Sequence, residues 1–327
     1  MTTKSTIPLL DQLGSISLGT AGIAGLYRET SYDTAQDVLA AAWDEGIRYF
    51  DTAPHYGQGL AERRVGDFLR GKSDYVLSTK VGRILKPASE FRAKINGFVN
   101  PPPFDQHYDY SYDGIMRSVE DSYQRLGLNR IDILYVHDVG TETHGADAPR
   151  HISDLLGSGW KALEELKASG AIKAVGLGVN EVEVCLEVAR NVDMDVILLA
   201  GRYTLLDNDA ANTLLPTCRE KNIRLVIGGV FNSGILATGP KPGATFNYQA
   251  ASDDILARAE ELQSVCRAHD TALPQAALHF AMQEPLVAST LIGVSHPDRL
   301  RSNMVQARAK PPAALWTDLA NKGLIPA

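Results

Sequence analysis

The chain has 327 residues, room for one large barrel or two ordinary domains. Its 44% apolar and 22% charged residues are the balance of a soluble globular protein, and a net charge of −7 speaks against a nucleic-acid partner. No apolar run approaches a membrane span, the Thr- and Ser-rich start lacks a cleavable signal pattern, and the three unpaired-looking cysteines, Cys185, Cys218 and Cys266, argue against a disulfide framework or a metal site. A reducing cytoplasm fits that cysteine usage.

Along the chain, the first ten residues read as a capping segment or hairpin. Segment 16–20 reads as a first strand, and small residues through Gly25 would let a ligand approach the backbone. Segment 31–46 has a helix pattern, with Ser31 at its start, Val38, Leu39, Ala42 and Trp43 on one face and Gly46 as its stop. A strand ending in Asp51 follows, then a helix over 62–69 and a strand over 76–80. Residues 83–110 carry Pro87, Pro101, Pro102 and Pro103 among aromatics without a clear period, and read as a long loop. Helix 111–126, strand 131–137, a polar loop over 139–152 and helix 153–169 come next. The unit repeats as strand 171–179, helix 181–191, strand 196–201, helix 209–221 and strand 224–230. After a Gly- and Pro-rich connection to 251, helices over 253–269 and 274–283 precede strand 289–294 and helix 297–309. Eight strand–helix units without a composition shift predict one (β/α)8 barrel domain over residues 1–327, with long loops on its active face.

Three successive strands end in chemistry-bearing side chains: Asp51 in Tyr49-Phe50-Asp51, Lys80 in Val76-Leu77-Ser78-Thr79-Lys80, and His137 in Ile133-Leu134-Tyr135-Val136-His137. Tyr56 lies on the loop after Asp51. Singly, each has an ordinary explanation: a surface lysine, a loop-capping aspartate, a satisfied core histidine. Together they meet at the face where barrel strands end and active sites sit. A phenol with a pKa of about 10 is a poor base at neutral pH, so Tyr56 needs a cation beside it.

Phe50-Asp51-Thr52-Ala53-Pro54-His55-Tyr56-Gly57, Ser78-Thr79-Lys80, Leu134-Tyr135-Val136-His137, Lys173-Ala174-Val175-Gly176-Leu177-Gly178-Val179-Asn180 and Gly293-Val294-Ser295-His296-Pro297 resemble the aldo-keto reductases over nearly the whole chain. Leu199-Ala200-Gly201-Arg202-Tyr203-Thr204-Leu205-Leu206 and Phe231-Asn232-Ser233-Gly234-Ile235-Leu236 are similar to a narrower branch, that of the NAD-linked L-fucose, L-galactose and D-threo-aldose 1-dehydrogenases and a pyridoxal 4-dehydrogenase. The resemblance implies a catalytic set of Asp51, Tyr56, Lys80 and His137. In it, Lys80 lowers the Tyr56 phenol, Asp51 holds Lys80 and His137 orients the substrate oxygen.

No GxGxxG follows a strand, so a Rossmann site is not expected. Barrels bind phosphate on the loops after strands 7 and 8, here Phe231-Asn232-Ser233-Gly234 and 293–303, the latter opening a helix. The resemblance places the adenosine end at Arg299 and Asn303 and the nicotinamide carboxamide at Asn180, where an N-cap role before Glu181 is equally plausible. It adds Thr20, Ala21, Asp51, Leu236, Gly293 and Ser295 to the cofactor contacts. NADPH-using relatives carry Lys or Arg then Ser where this chain has Gly293 and Val294, so NAD is expected over NADP, with Arg299 the residue that leaves NADP open. Ala200 and Gly228 stand where a glutamine and a stacking tyrosine are common. The expected activity is oxidation of an aldose (L-fucose, L-galactose or D-arabinose) at C1 to its lactone. The alternatives are a pyridoxal 4-dehydrogenase, an NADPH-linked aldehyde reductase and a cofactor-sensing subunit without turnover. The 83–110 segment is expected to overhang the site and choose substrate without joining the chemistry.

Overall fold

In the computed structural model, which describes residues 7–326, eight parallel strands close into a barrel in chain order. They are β1 (Ile16–Gly19), β2 (Tyr49–Asp51), β3 (Val76–Val81), β4 (Ile133–His137), β5 (Ala174–Val179), β6 (Val196–Ala200), β7 (Arg224–Gly228) and β8 (Val287–Gly293). β8 returns to pair with β1, Gly293 beside Gly19. The outer layer holds α1 (Tyr32–Asp44), α2 (Leu60–Leu69), α3 (Tyr112–Leu126), α4 (Trp160–Ala168), α5 (Val182–Asn191), α6 (Leu214–Lys221), α7 (Asp253–Ala268), α8 (Leu273–Met282), α9 (Pro297–Arg308) and α10 (Ala313–Asn321). The fold is the expected (β/α)8 barrel. Among the described residues no helix is long and apolar enough to cross a membrane.

Period-2 alternation builds two apolar layers. Phe50, Leu77, Leu134, Leu177, Ile197 and Ile227 point outward and pack under the helices. Their neighbours Tyr49, Val76, Tyr135, Val196, Leu198 and Val226 fill the barrel interior, together with Leu10 and Leu13 at the 3-10 turn Pro8–Gln12. Helices begin where serine can satisfy the free N–H groups of the first turn. Ser31, Ser111 and Ser252 accept from the backbone N–H of Thr34, Gly114 and Ile255.

The amino-terminal expectation lies outside the described residues for 1–6; of its two forms the structure has the capping segment at 8–12, a 3-10 turn, and not the hairpin. Three stretches differ from the sequence reading. The 83–110 segment is ordered: Arg83–Pro87 pairs antiparallel with Phe104–Tyr108, and Lys94–Ile95 pairs with Phe98–Val99 inside it. Its ribbon is largely solvated, so no apolar alternation betrays it. The polar loop over 139–152 is mostly helical, with Thr141–His144 and Ala148–Asp154 running through a π-helical turn at Leu155–Gly159 into α4. The last helix, α10, lies beyond the expected end; Leu315 and Leu319, four apart and buried, are the signal that was there to read.

Close helix packing rests on a glycine. A Cβ on Gly66 of α2 would lie 1.8 Å from the carbonyl oxygen of Leu126 at the end of α3, a rigid backbone atom. At Gly157, in the solvent-facing π-helical turn, a Cβ meets nothing within 4 Å. Gly66→Ala is therefore expected to destabilise the protein by about 1–3 kcal/mol. Gly157→Ala should be neutral or stabilising by up to about 1 kcal/mol. Urea midpoints of the two variants check this, and an undiminished Gly66→Ala midpoint would contradict the packing argument.

Candidate active site

β2, β3 and β4 carry polar side chains on their inward positions, and these form one hydrogen-bonded column. The Tyr135 and Tyr49 hydroxyls are 2.9 Å apart, and the Tyr49 hydroxyl is 3.0 Å from Ser78 Oγ. Ser78 Oγ donates to Asp51 Oδ1 at 2.7 Å. Above it, Lys80 Nζ donates to both Asp51 carboxylate oxygens, at 2.8 and 2.6 Å, and to the Thr52 carbonyl at 3.0 Å. Lys80 is 1% exposed and Asp51 is fully buried. An ammonium in such a place requires a counter-charge. Burial raises the Asp51 carboxyl, and the Lys80 charge, its hydrogen bonds and Ser78 pull it back. The aliphatic stem of Lys80 has room because β5 presents Gly178, where a Cβ would sit 3.2 Å from Lys80 Cε.

Tyr56 sits on a tight turn between β2 and α2. Its N–H donates to Ala53 O, Gly59 N–H donates to Pro54 O, and Gly57 takes φ +59° where a Cβ would strike the Ala24 carbonyl at 2.7 Å. The turn brings the Tyr56 ring centroid within 4.9 Å of Lys80 Nζ and 6.1 Å of the His137 ring, which stands perpendicular to it. Asp51, Tyr56, Lys80 and His137 thus come together as the sequence reading expected. The electrostatics differ from that reading. Burial, and after it the Asp51 carboxylate, hold the Tyr56 phenol well above its ordinary value. Arg83 pulls the phenol the other way.

The imidazoles around Tyr56 are neutral. Burial, then Arg83 and Lys80, push His137 well below its ordinary value. Burial and Arg83 bring His55 down to about 3. His55 Nδ1 lies 2.9 Å from Arg83 Nη1. A guanidinium only donates, so this nitrogen is the unprotonated acceptor. His137 Nδ1 is buried without a hydrogen-bond partner, and His137 Nε2 lies 3.3 Å from Asp138 Oδ2.

Sequence reasoning missed Arg83, Asp138, Gln106 and Tyr110. Arg83 Nη2 bonds Asp138 Oδ2, and Arg83 Nη1 also donates to Gln106 Oε1 at 2.9 Å. Tyr110 donates its hydroxyl hydrogen to the His137 carbonyl at 2.7 Å, which leaves that oxygen to accept from His144 Nε2 at 2.9 Å. Arg83 and Asp138 could have been flagged as charges directly after strands that end in site residues. Gln106 and Tyr110 carry no such signal, since a hairpin of unknown register brings them in. The 83–110 segment does more than overhang the site, because its two ends grip His55, Asp138 and the backbone of His137.

The expected cofactor residues lie at strand ends, on loops and in the helices Ile235–Thr238 and α9, and not all are free. Thr20 uses its N–H and its hydroxyl on Asp51 O, at 3.0 and 2.9 Å. Half-buried Ala21 precedes Gly22, whose missing Cβ lets the β1 loop touch Val294 O. Asn232 spends its amide on Thr204 and Gly201, and Leu236 is wholly buried in the outer core, so neither side chain is available. Ser233 Oγ accepts from Tyr248 N–H at 2.9 Å and Ser233 O accepts from Thr245 Oγ1 at 2.7 Å, which ties the ribbon Thr245–Phe246 and Gln249–Ala250 to the β7 loop. Asn180 does not cap α5: Glu181 holds the cap position, and Asn180 Nδ2 instead approaches the Tyr248 hydroxyl at 3.5 Å. Ser295 accepts from Arg28. Arg299 is exposed and Asn303 half-buried, and Gly293 leaves open space, a Cβ there meeting nothing nearer than Gly19 O at 3.9 Å. A cation, an amide and a bare backbone beside the start of α9 suit a dinucleotide's anionic end. Among the described residues, no three His, Cys, Asp or Glu side chains gather to hold a metal.

Comparison with known proteins agrees with this arrangement. Residues 15–311 match the model of the Aldo/keto reductase family. The chain is 44% identical over 322 residues to pyridoxal 4-dehydrogenase of Microbacterium luteolum, covering 95% of this chain and 94% of that protein. It is 42% identical over 320 residues to D-threo-aldose 1-dehydrogenase of a Pseudomonas species, with the same coverage. The solved structure of a glycerol dehydrogenase from Gluconobacter oxydans superposes with a TM-score of 0.74 over 99% of this chain and 97% of that one, at 22% identity, a likeness of fold. The chain therefore belongs to the aldo/keto reductase family and is an oxidoreductase acting on CH–OH groups.

Proposed function

We propose that the protein is an NAD-dependent dehydrogenase that oxidises the C1 hemiacetal of an aldose, of the L-fucose, L-galactose or D-arabinose type, to its lactone. The observation that carries this reading is the Tyr56 ring, set 4.9 Å from a buried, aspartate-held lysine and 6.1 Å from the His137 ring at the strand ends. The 42% identity to a D-threo-aldose 1-dehydrogenase supports the substrate class. Gly293 and Val294 support NAD, since neither offers a counter-charge for a 2′-phosphate.

Arg299, Asn303, Asn180 and the β7 loop would hold NAD, which would supply the hydride acceptor. The chain's own residues handle orientation and the proton. His137, uncharged, hydrogen-bonds the C1 oxygen and turns its O–H toward Tyr56. Tyr56, as the phenolate, takes up that proton and becomes the neutral phenol as hydride leaves C1 and the lactone carbonyl forms. Lys80 faces the phenolate that this step consumes, and Asp51 fixes the ammonium through both oxygens. Positioned acid–base groups of this type contribute about 10²–10⁴-fold.

A second reading, oxidation of the cyclic hemiacetal of pyridoxal, has its own support. Phe98 lies 6.4 Å from the Tyr56 ring at a 35° tilt, and the half-exposed rings of Tyr27 and Tyr248 flank the mouth. Such an aromatic rim suits a flat heterocycle, and the 44% identical relative is a pyridoxal 4-dehydrogenase.

NAD reduction measured across L-fucose, L-galactose, D-arabinose and pyridoxal is expected to give the highest kcat/KM with a sugar and with NAD over NADP. Pyridoxal outrunning every sugar would favour the second reading, and a clear NADP preference would overturn the cofactor assignment. Tyr56→Phe should fold and bind NAD, yet lose about 10² or more of its rate, and Lys80→Met should be comparably impaired. Because the phenol lies well above its ordinary value, the oxidation rate should climb as pH rises through neutrality into the alkaline range. A fully active Tyr56→Phe enzyme with an unchanged pH profile would remove Tyr56 from the mechanism.

A further inference from the structure

We propose that Arg83 and Asp138 are positioning residues of this site: the Asp138 carboxylate, held between the Arg83 guanidinium and the His137 imidazole, fixes His137 against Tyr56 and sets the charge that faces the phenol. The inference rests on the proposed role of Tyr56 in proton transfer.

The geometry comes from three elements. Arg83 leaves the end of β3 three residues after Lys80, with its side chain 4% exposed. Asp138 follows His137 at the end of β4, in the left-handed region at φ +42°, which an aspartate tolerates and most residues avoid. Its Oδ2 touches Arg83 Nη2 on one side and lies 3.3 Å from His137 Nε2 on the other. Gln106, from the far arm of the hairpin, holds the same guanidinium at 2.9 Å. A buried ion pair is a poor way to stabilise a fold, since packed apolar side chains of equal volume do as well or better. A pair placed beside a reacting phenol has another use: it fixes a neighbour's orientation and local charge.

The titratable and charged groups facing Tyr56 are Asp51, Lys80, His55, His137, Arg83, Asp138 and Tyr248. Among them Asp51, Asp138 and Tyr248 hold the phenol up, and Arg83 pulls it down. Neutralising Asp138 and neutralising Arg83 should therefore move the phenol in opposite directions. A residue that only props up the fold has no reason to produce that pair of opposed shifts.

The test uses Asp138→Asn, Arg83→Met and Arg83→Lys in the full-length protein, with Tyr56→Phe in parallel. NAD binding is followed by fluorescence titration, and kcat and KM for oxidation are followed against pH. The expected result is NAD binding close to that of the parent protein and a fall in kcat of about 10-fold or more. The alkaline limb of the profile should move to lower pH in Asp138→Asn and to higher pH in Arg83→Met. Arg83→Lys keeps the charge but cannot bridge His55, Gln106 and Asp138 together, so its limb should stay in place while kcat falls. If Arg83→Met fails to fold, Asp138→Asn and Arg83→Lys still decide the matter. Parental kcat with an unmoved limb in Asp138→Asn, or limbs that shift the same way in Asp138→Asn and Arg83→Met, would overturn the proposal. A Tyr56→Phe enzyme as active as the parent would overturn the proton-transfer reading itself. An inactive Tyr56→Phe beside an unshifted Asp138→Asn would sink only the positioning role.

Discussion

A lysine that is 1% exposed inside a barrel has to be answered by a carboxylate, and Asp51 answers Lys80 through both of its oxygens. Much of the neighbouring architecture follows from that pair. Burying an unmatched ammonium or carboxylate costs several kcal/mol, so β2 and β3 must keep the register that sets Asp51 beside Ser78. Ser78, Tyr49 and Tyr135 extend the satisfied hydrogen bonds down the barrel axis, and β5 gives up a side chain at Gly178 to admit the lysine stem. Along β2, β3 and β4 the interior is therefore graded: apolar where Val76 and Ile133 start their strands, hydrogen-bonded at Tyr49, Ser78 and Tyr135, ionic at Asp51 and Lys80.

Above the pair, the site works by withholding charge. Tyr56 keeps its proton, and His55 and His137 refuse theirs, because burial and the nearby Arg83 make an imidazolium unfavourable. Neutral groups around a matched ion pair form a preorganised polar environment, in which a charge that develops during reaction meets oriented partners, not water. In the proposed mechanism Lys80 faces the phenolate from which oxidation starts, held in place by Asp51.

The barrel was legible in the sequence because its strands are short apolar runs of fixed parity and three of its helices start at serines. The same parity puts Asp51, Lys80 and His137 on inward positions, so their meeting could be read before any coordinates. The hairpin arms, Arg83–Pro87 and Phe104–Tyr108, could not, because solvated antiparallel strands have no buried face to impose a pattern. Gln106 was hidden for the same reason: a register formed across twenty residues delivers it to Arg83. Asn180 and Asn232 show a different limit. Their residue types suit a ligand, but only the three-dimensional contacts reveal that Glu181 takes the helix cap and that Asn232 is already committed to Thr204 and Gly201.

The rooting of the 83–108 hairpin bears on how such a barrel can diversify. The stretch between Pro87 and Phe104 is tied as well: Phe98 is 2% exposed with its ring 5.5 Å from that of His55, and the Tyr27 and Val99 N–H groups bond Gly97 O and Gly25 O. A grafted tip must therefore supply an equivalent of Phe98 to leave His55 and Tyr56 undisturbed. A splice made at the base of the hairpin would carry away Arg83 and Gln106 and unsettle His55 and Asp138 with them. What is free to vary is therefore confined to the solvated positions of this loop, and the constraints of the site reach well beyond the edge of the barrel.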